Sequence, residues 1–183
     1  MVSLIWLVPA IPFTSFLILA LWGRRLGRSI ASYIGAWSIG LSALFAMLSA
    51  IGYFSLPEGM QSASQTLWHW FTVGNFDISL TLYLDPLSVL MILVVTIVGF
   101  LIHFYSISFM AEDEGASRFF AYMNMFVGFM LILVLADNLL FLLIGWEGVG
   151  LCSYLLIGFW YKDPGNGKAA RKAFIVTRIG DVA

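Results

Sequence analysis

The chain has 183 residues, of which 61% are hydrophobic, 16% aromatic and only 10% charged, with a formal net charge of −1. Soluble domains carry about 25% charged residues, so this composition excludes a soluble globular protein and indicates an integral membrane one. The single cysteine, Cys152, excludes an internal disulfide and a cysteine-held iron–sulfur cluster, and neither a phosphate-cradling glycine loop nor a basic stripe supports nucleotide or nucleic-acid binding.

Residues 2–22 read as the first spanning helix, bent near its outer end by Pro9 and Pro12. Lipid tolerates such breaks when neighbouring groups satisfy the freed carbonyls. The segment does not read as a cleaved signal peptide, because no basic residue precedes it and Arg24, Arg25 and Arg28 follow it. Residues 29–56 form a second span in which Gly35, Ser38, Ser42, Ala46 and Ser49 recur at three- and four-residue steps, a face suited to close helix contact. The one sizeable loop follows, over 57–84. Its segments 66–72 (TLWHWFT) and 77–84 (DISLTLYL) alternate in polarity around the turn residues Val73, Gly74 and Asn75, which predicts a short β-hairpin on the membrane surface. Trp68 and Trp70 are then interfacial anchors. His69 lacks a second metal-type residue at ligand spacing, so it reads as a surface residue and no metal site is expected.

Asp85 and Pro86 open a third helix with an N-cap and a proline at the first helical position, running to about residue 110. It carries His103 toward its inner end, where a histidine either relays protons or simply hydrogen-bonds. A polar turn at 111–115 (AEDEG), a fourth span at 117–136 and a sharp turn at Asp137–Asn138 lead into residues 139–161, LLFLLIGWEGVGLCSYLLIGFWY. This fifth span places one carboxylate, Glu147, near its middle. Insertion scales charge roughly 2.5–3.5 kcal/mol for an acid at that depth. Glu147 therefore either bonds a neighbouring helix for packing or handles ions. Gly145, Gly148 and Gly150 flank it, leaving room for a partner helix or a file of water, or serving tight packing alone. Residues 162–168 (KDPGNGK) read as a loop, and a sixth helix is expected from about residue 169, still incomplete at Ala183. The fold class is thus an all-α integral membrane protein of about six transmembrane helices with a surface hairpin between helices 2 and 3. The unfinished last span reads as a fragment or a truncated product.

Eight of the nine Lys and Arg fall on one side of this topology: Arg24, Arg25, Arg28, Arg118, Lys162, Lys168, Arg171 and Lys172. The opposite loops carry Glu58, Asp77, Asp85 and Asp137 instead, so the positive-inside rule puts the N-terminus outside. The ninth base, Arg178, lies inside the sixth helix, three residues before Asp181 and on the same helix face. Counted from the cytoplasmic ends, Glu147 and Asp181 both lie roughly 20 Å deep, on consecutive antiparallel helices. Arg178 and Asp181 form either a structural ion pair or part of an ion path. A buried carboxylate whose cationic neighbour shifts can release and regain a proton, which is the core of a proton pump without redox chemistry. In that reading Glu147 is the gate, Asp181 a second acceptor and Arg178 the local charge tuner.

The strings LADNLLFLLIGWEGVGLCSYLLIGFWY (135–161), SRFFAYMNMF (117–126) and KAFIVTRIGD (172–181) resemble the antiporter-like subunit L, or chain 5, of NADH–quinone oxidoreductase (complex I). The resemblance extends over essentially the entire chain. It implies a three-helix region with the hairpin over 1–116 and the start of a proton-conducting repeat over 117–183. It implies a proton-translocating membrane-arm subunit in the bacterial inner (cytoplasmic) membrane, driven by electron transfer from NADH to quinone elsewhere in the complex. No cofactor is implied in this chain: flavin (FMN), iron–sulfur clusters and quinone belong to partner subunits. The implied partners are other membrane-arm subunits, the lipid bilayer and protons, with no nucleic acid and no direct NADH contact. Family members pair the glutamate matching Glu147 with a seventh-helix lysine, which this sequence does not contain. Less similar are the large subunits of multi-subunit sodium/proton antiporters, which give the rival transport reading; a packing scaffold is the non-transport one.

Overall fold

In hydrocarbon every backbone N–H and C=O must be satisfied within the protein, which leaves helices as the economical way to cross. The computed structural model, which describes residues 4–57, 62–73 and 76–182, has six of them and one hairpin. In chain order these are α1 (Leu7–Leu26), α2 (Arg28–Phe54), β1 (Ala63–Val73), β2 (Phe76–Leu84), α3 (Pro86–Phe109), α4 (Ala116–Leu135), α5 (Leu139–Ile157) and α6 (Pro164–Val182). Helices α1 to α5 are long and apolar enough to cross a membrane, and among the described residues α6 is the helix that falls short. Lys168, Arg171, Lys172, Arg178 and Asp181 are the reason.

Helix α4 stands in the middle of the bundle, packed against α1, α2, α3 and α5, while α6 packs chiefly on α5. Two apolar layers fill the interior. The one that includes the hairpin joins Val8, Ile39, Leu82, Ile92, Leu131 and Phe141, and the one nearer the basic loops joins Leu19, Ala31, Met110, Phe120 and Phe159. The small-residue face of α2 lies where the spacing put it: Gly35, Ser42, Ala46 and Ser49 are buried, and a Cβ at Gly35 would sit 2.8 Å from the Phe120 side chain of α4.

Several boundaries differ from the sequence-based expectation. Helix α1 begins at Leu7 and ends at Leu26, so Arg24 and Arg25 form its last turn, where cations complement the helix dipole. Pro12 lies inside it and cannot bond the Val8 carbonyl four residues back. The Ser42 hydroxyl of α2 donates to that carbonyl instead, at 2.6 Å, so the proline break is repaired by a neighbouring helix. Helix α5 stops at Ile157, not 161, and α6 starts at Pro164, not 169. Asp163 accepts from the Gly165 N–H at 2.7 Å, and the KDPGNGK stretch is largely the first turns of a helix. Gly158 packs on Ala170, where an added Cβ would lie 3.3 Å from the alanine methyl, so the start of α6 projects past the end of α5.

The hairpin is antiparallel, with Thr66 opposite Thr81 and irregularities between Thr66 and Trp68 and between His69 and Phe71. Its Gly74–Asn75 turn lies outside the described residues, as does Glu58. Trp68, His69 and Trp70 are exposed, as surface positions require. The hairpin also fastens the turn between α4 and α5. Leu82 bridges to Ala136, the Asp137 N–H donates to the Thr81 carbonyl at 3.2 Å, and the Asn138 side chain donates to the Ser79 carbonyl at 2.8 Å. Asn138 caps α5 through Phe141 N–H and Asp85 caps α3 through Ser88 N–H, each satisfying a helix-end donor.

At the opposite, basic end the loops close on one another. Arg28 donates to the Glu112 carbonyl, and Arg118 lies 4.9 Å from both the Phe159 and Tyr161 ring centres. Asp113 accepts from the Trp160 indole at 2.9 Å and from the Gly115 N–H at 2.7 Å. The Trp160 bond first, then the Gly115 bond, hold the Asp113 carboxyl below the usual carboxylate range. A depressed carboxyl stabilises the fold above the ordinary range and loses that contribution as pH falls through its folded-state value.

Two measurements follow from these contacts. Ser42→Ala leaves the Val8 carbonyl without its donor, with an expected stability loss of about 1–3 kcal/mol in detergent melting or denaturant titration; an unchanged midpoint would remove the repair role. The Asp113 contribution should appear as a drop in melting temperature in acid, and Asp113→Asn should flatten that part of the profile.

Candidate ion-pair site within the membrane helices

Helix α5 divides its glycines between two neighbours. A Cβ at Gly145 would fall 2.6 Å from the backbone nitrogen of Leu133, and one at Gly148 would enter the Phe129 ring. These two glycines therefore serve tight packing on α4. Gly150 faces the other way, and a Cβ there would occupy the place of the Arg178 guanidinium. Antiparallel steps lead up to it: Gly158 against Ala170, then Tyr154 against Phe174 with ring centres 5.5 Å apart, then Gly150 against Arg178.

At the top of this ladder Arg178 forms an ion pair with the Glu147 carboxylate, and its Nη2 donates to the Glu147 backbone carbonyl at 3.0 Å. Nη1 lies 3.5 Å from Asp181 Oδ2, and the guanidinium carbon stands 4.7 Å from the Phe174 ring centre. Asp181 Oδ1 accepts from the Trp146 indole N–H at 2.7 Å. The three ionisable side chains singled out in the sequence are thus one connected group. Both helix boundaries used to count depth moved, yet the two carboxylates meet because α6 overreaches the end of α5. The side chain of Asp181 is 14% exposed and that of Arg178 22%, against 41% for Glu147. Glu147 and Arg178 line a shallow cleft with Phe129, Leu143 and Leu151, while Asp181 lines a second, about 660 Å³, with Trp146, Ser153, Tyr154 and Thr177.

His103 is not part of this group. It is fully buried in α3 with Nδ1 bonded to the Gly99 carbonyl at 2.7 Å and its ring beside Phe120. Helix α3 packs on α2 and α4, so α4 stands between His103 and the carboxylates. Cys152 is a buried packing residue. Two polar residues escaped the sequence reading. Trp146 carried a signal in its position beside Glu147, deep in a span where an indole needs a partner. Asn124, which bonds the Gly35 and Phe120 carbonyls and accepts from Ser38, carried only its polarity within an apolar helix.

Comparison with known proteins points the same way as the geometry. The family described as NADH-Ubiquinone oxidoreductase (complex I), chain 5 N-terminus matches residues 70–120, and the one described as NADH:quinone oxidoreductase/Mrp antiporter, TM matches 136–183, which contains the whole ion-paired group. A chain in the structure of the Mrp complex from Dietzia sp. superposes with a TM-score of 0.77 at 27% identity, covering 96% of this chain and 18% of that one. A chain of the archaeal membrane-bound sulfane sulfur reductase gives 0.82 at 17% identity, covering 97% of this chain and 34% of that one, a likeness of fold alone. The class is therefore that of antiporter-like subunits of membrane complexes.

Within that class the matching curated sequences are more specific. The chain is 52% identical to NADH-quinone oxidoreductase subunit L of Escherichia coli over 94% of its own length, and 53% identical to the Pseudomonas aeruginosa protein of that name over 93%. Over that length it matches the subunit L (chain 5) family of complex I. It spans about 28% of the length of these relatives.

Replacing Arg178 by Gln removes the cation that two carboxylates and a carbonyl share. Stability of the α5–α6 pair should fall by about 1.5–3 kcal/mol, the scale of hydrogen bonds to a charged group, read by thermal melting in detergent, with Arg178→Lys recovering only part.

Proposed function

We propose that this chain is part of a proton-translocating membrane-arm subunit of NADH:quinone oxidoreductase. Protons move through its carboxylates on α5 and α6 while electrons pass from NADH to quinone in other subunits. The observation that carries this reading is the joining of Glu147, Arg178 and Asp181 at one depth across two antiparallel helices. One guanidinium faces two carboxylates, so the fully ionised group has a charge of −1 and a single proton makes it neutral. Low dielectric penalises the uncompensated charge and so favours exchange of one proton at a time.

Glu147 is the gate in this scheme, because its carboxylate is the most exposed of the three and borders an open cleft. A carboxylate that swings away from Arg178 gives up its ion pair, and without that cation beside it takes up a proton more readily. Asp181 is the second acceptor and Arg178 the fixed charge that sets the balance. His103 has no place on this path; a relay through it needs a connection around α4.

In this reading the basic loops face the cytoplasm, the N-terminus lies on the outer side of the inner membrane, and the neighbours are other membrane-arm subunits. Residues 1–116 supply the helical support and hairpin, and 117–183 begin the conducting unit. The chain holds no cofactor, with FMN, iron–sulfur clusters and quinone in partner subunits, and it does not bind NADH. The likeness to the Mrp complex favours a second reading, a sodium/proton antiporter subunit, but it rests on 27% identity against 52%.

Glu147→Gln in the assembled complex tests the main reading. Protons translocated per NADH oxidised should fall about tenfold or more, equivalent to at least ~1.4 kcal/mol; wild-type pumping would remove the gate. Sodium-driven proton exchange without any dependence on NADH would transfer the chain to the second reading.

A further inference from the structure

We propose that Trp146 is the positioning residue for Asp181: its indole N–H holds that carboxylate against α5 and leaves Arg178 to serve Glu147. The inference rests on the proton-translocation reading and adds to it the link between the two carboxylates.

Three observations carry it. First, the distances divide the partners. Asp181 is 2.7 Å from the Trp146 indole nitrogen and 3.5 Å from the guanidinium. Arg178, in contrast, contacts Glu147 through both the side-chain ion pair and the backbone carbonyl at 3.0 Å. The close partner of Asp181 is therefore the indole. Second, Trp146 lies near the middle of the nineteen-residue helix α5. Tryptophans that anchor a protein in a bilayer sit at its interfaces, where the N–H reaches water or headgroups. At mid-span an N–H needs a protein acceptor, and Asp181 is the one it has. Third, Trp146 and Glu147 are consecutive on α5, so any turn or shift of that helix that moves the gate also moves the donor on Asp181.

An indole donates and does not accept, so Trp146 carries no proton itself. Its part is to fix the place of one acceptor relative to the other. Among the described residues, Arg178 and Asp181 are the charged groups facing it across the α5–α6 contact, and Glu147 is its neighbour on α5.

The test uses the assembled complex with three variants. Trp146→Phe keeps an aromatic ring and removes the donor, Trp146→His keeps a ring N–H, and Asp181→Asn removes the carboxylate. Protons moved per NADH should fall about tenfold in Trp146→Phe, the scale of a lost hydrogen bond to a charged group, and recover in part in Trp146→His. The double variant Trp146→Phe/Asp181→Asn should pump no worse than Asp181→Asn alone, because both changes act on one carboxylate. The carboxyl stretch that disappears from the infrared difference spectrum in Asp181→Asn should shift in Trp146→Phe, a signature that mere loss of packing does not produce. Wild-type pumping in Trp146→Phe, multiplied losses in the double variant, or an unmoved carboxyl band would each overturn the proposal. The infrared band reports the Trp146–Asp181 bond independently of pumping. If Glu147→Gln pumps normally and the band still moves, the gate role of Glu147 falls and the positioning contact stands.

Discussion

The guanidinium of Arg178 meeting two carboxylates where α6 packs on α5 is the constraint around which this edge of the bundle is arranged. Charges beside apolar helices are costly alone and tolerable together, because each supplies part of what water would have supplied. A helix-to-helix contact must then bring them within a few ångströms at a fixed height. Gly150 clears the space for the arginine, Gly158 and Ala170 let the backbones approach below it, and Tyr154 against Phe174 sets the spacing between. Gly145 and Gly148 hold the same helix from behind, against α4. A single helix thus carries two packing faces and one charged edge.

The height of that edge is set some distance away. Asn138 caps α5 and also bonds the hairpin carbonyl of Ser79, while the Asp137 N–H bonds Thr81. The hairpin therefore acts as a stop for the N-terminal end of α5, and its own apolar side chains Leu82 and Leu84 are part of the bundle core. At the other end, the aromatic residues after α5 close on Arg118 and Asp113, which fixes where the chain reverses into α6. Two polar clasps, one at each end, hold a helix whose middle carries the chemistry.

Much of this was legible from residue order. Apolar length marked the first five helices, alternation marked the hairpin, and the i,i+3 spacing put Arg178 and Asp181 on one face. The same dipeptide, Asp-Pro, gave one success and one miss. Before a long apolar run, Asp85–Pro86 announced a helix start. Before Gly165, Asn166 and Gly167, the Asp163–Pro164 pair looked like a turn, because low helix propensity outweighed the proline signal. Tertiary contact with Trp160 and with the end of α5 decides it for the helix. Partners across helices were the illegible part. Nothing in the order of residues says that Ser42 answers Pro12, that α4 separates His103 from Glu147, or that Trp146 points at Asp181. Those relations depend on which helices become neighbours, and periodicity fixes a face without naming what it will meet.

The way Arg178 is held also bears on what moves. A lysine is a point charge on a flexible stem, whereas the arginine fork makes several directed bonds at once. Arg178 uses it on the Glu147 carboxylate, the Glu147 carbonyl and the edge of Asp181, with its plane near the Phe174 ring. If the Glu147 side chain leaves, the other three contacts keep the guanidinium in place. Asp181 is fixed in turn by Trp146 and is the least exposed of the three charged side chains. Of the group, only Glu147 combines a single side-chain partner with an open cleft beside it. The fixed positive charge and the fixed second acceptor are thus the reference against which a mobile carboxylate, and the proton it carries, is moved.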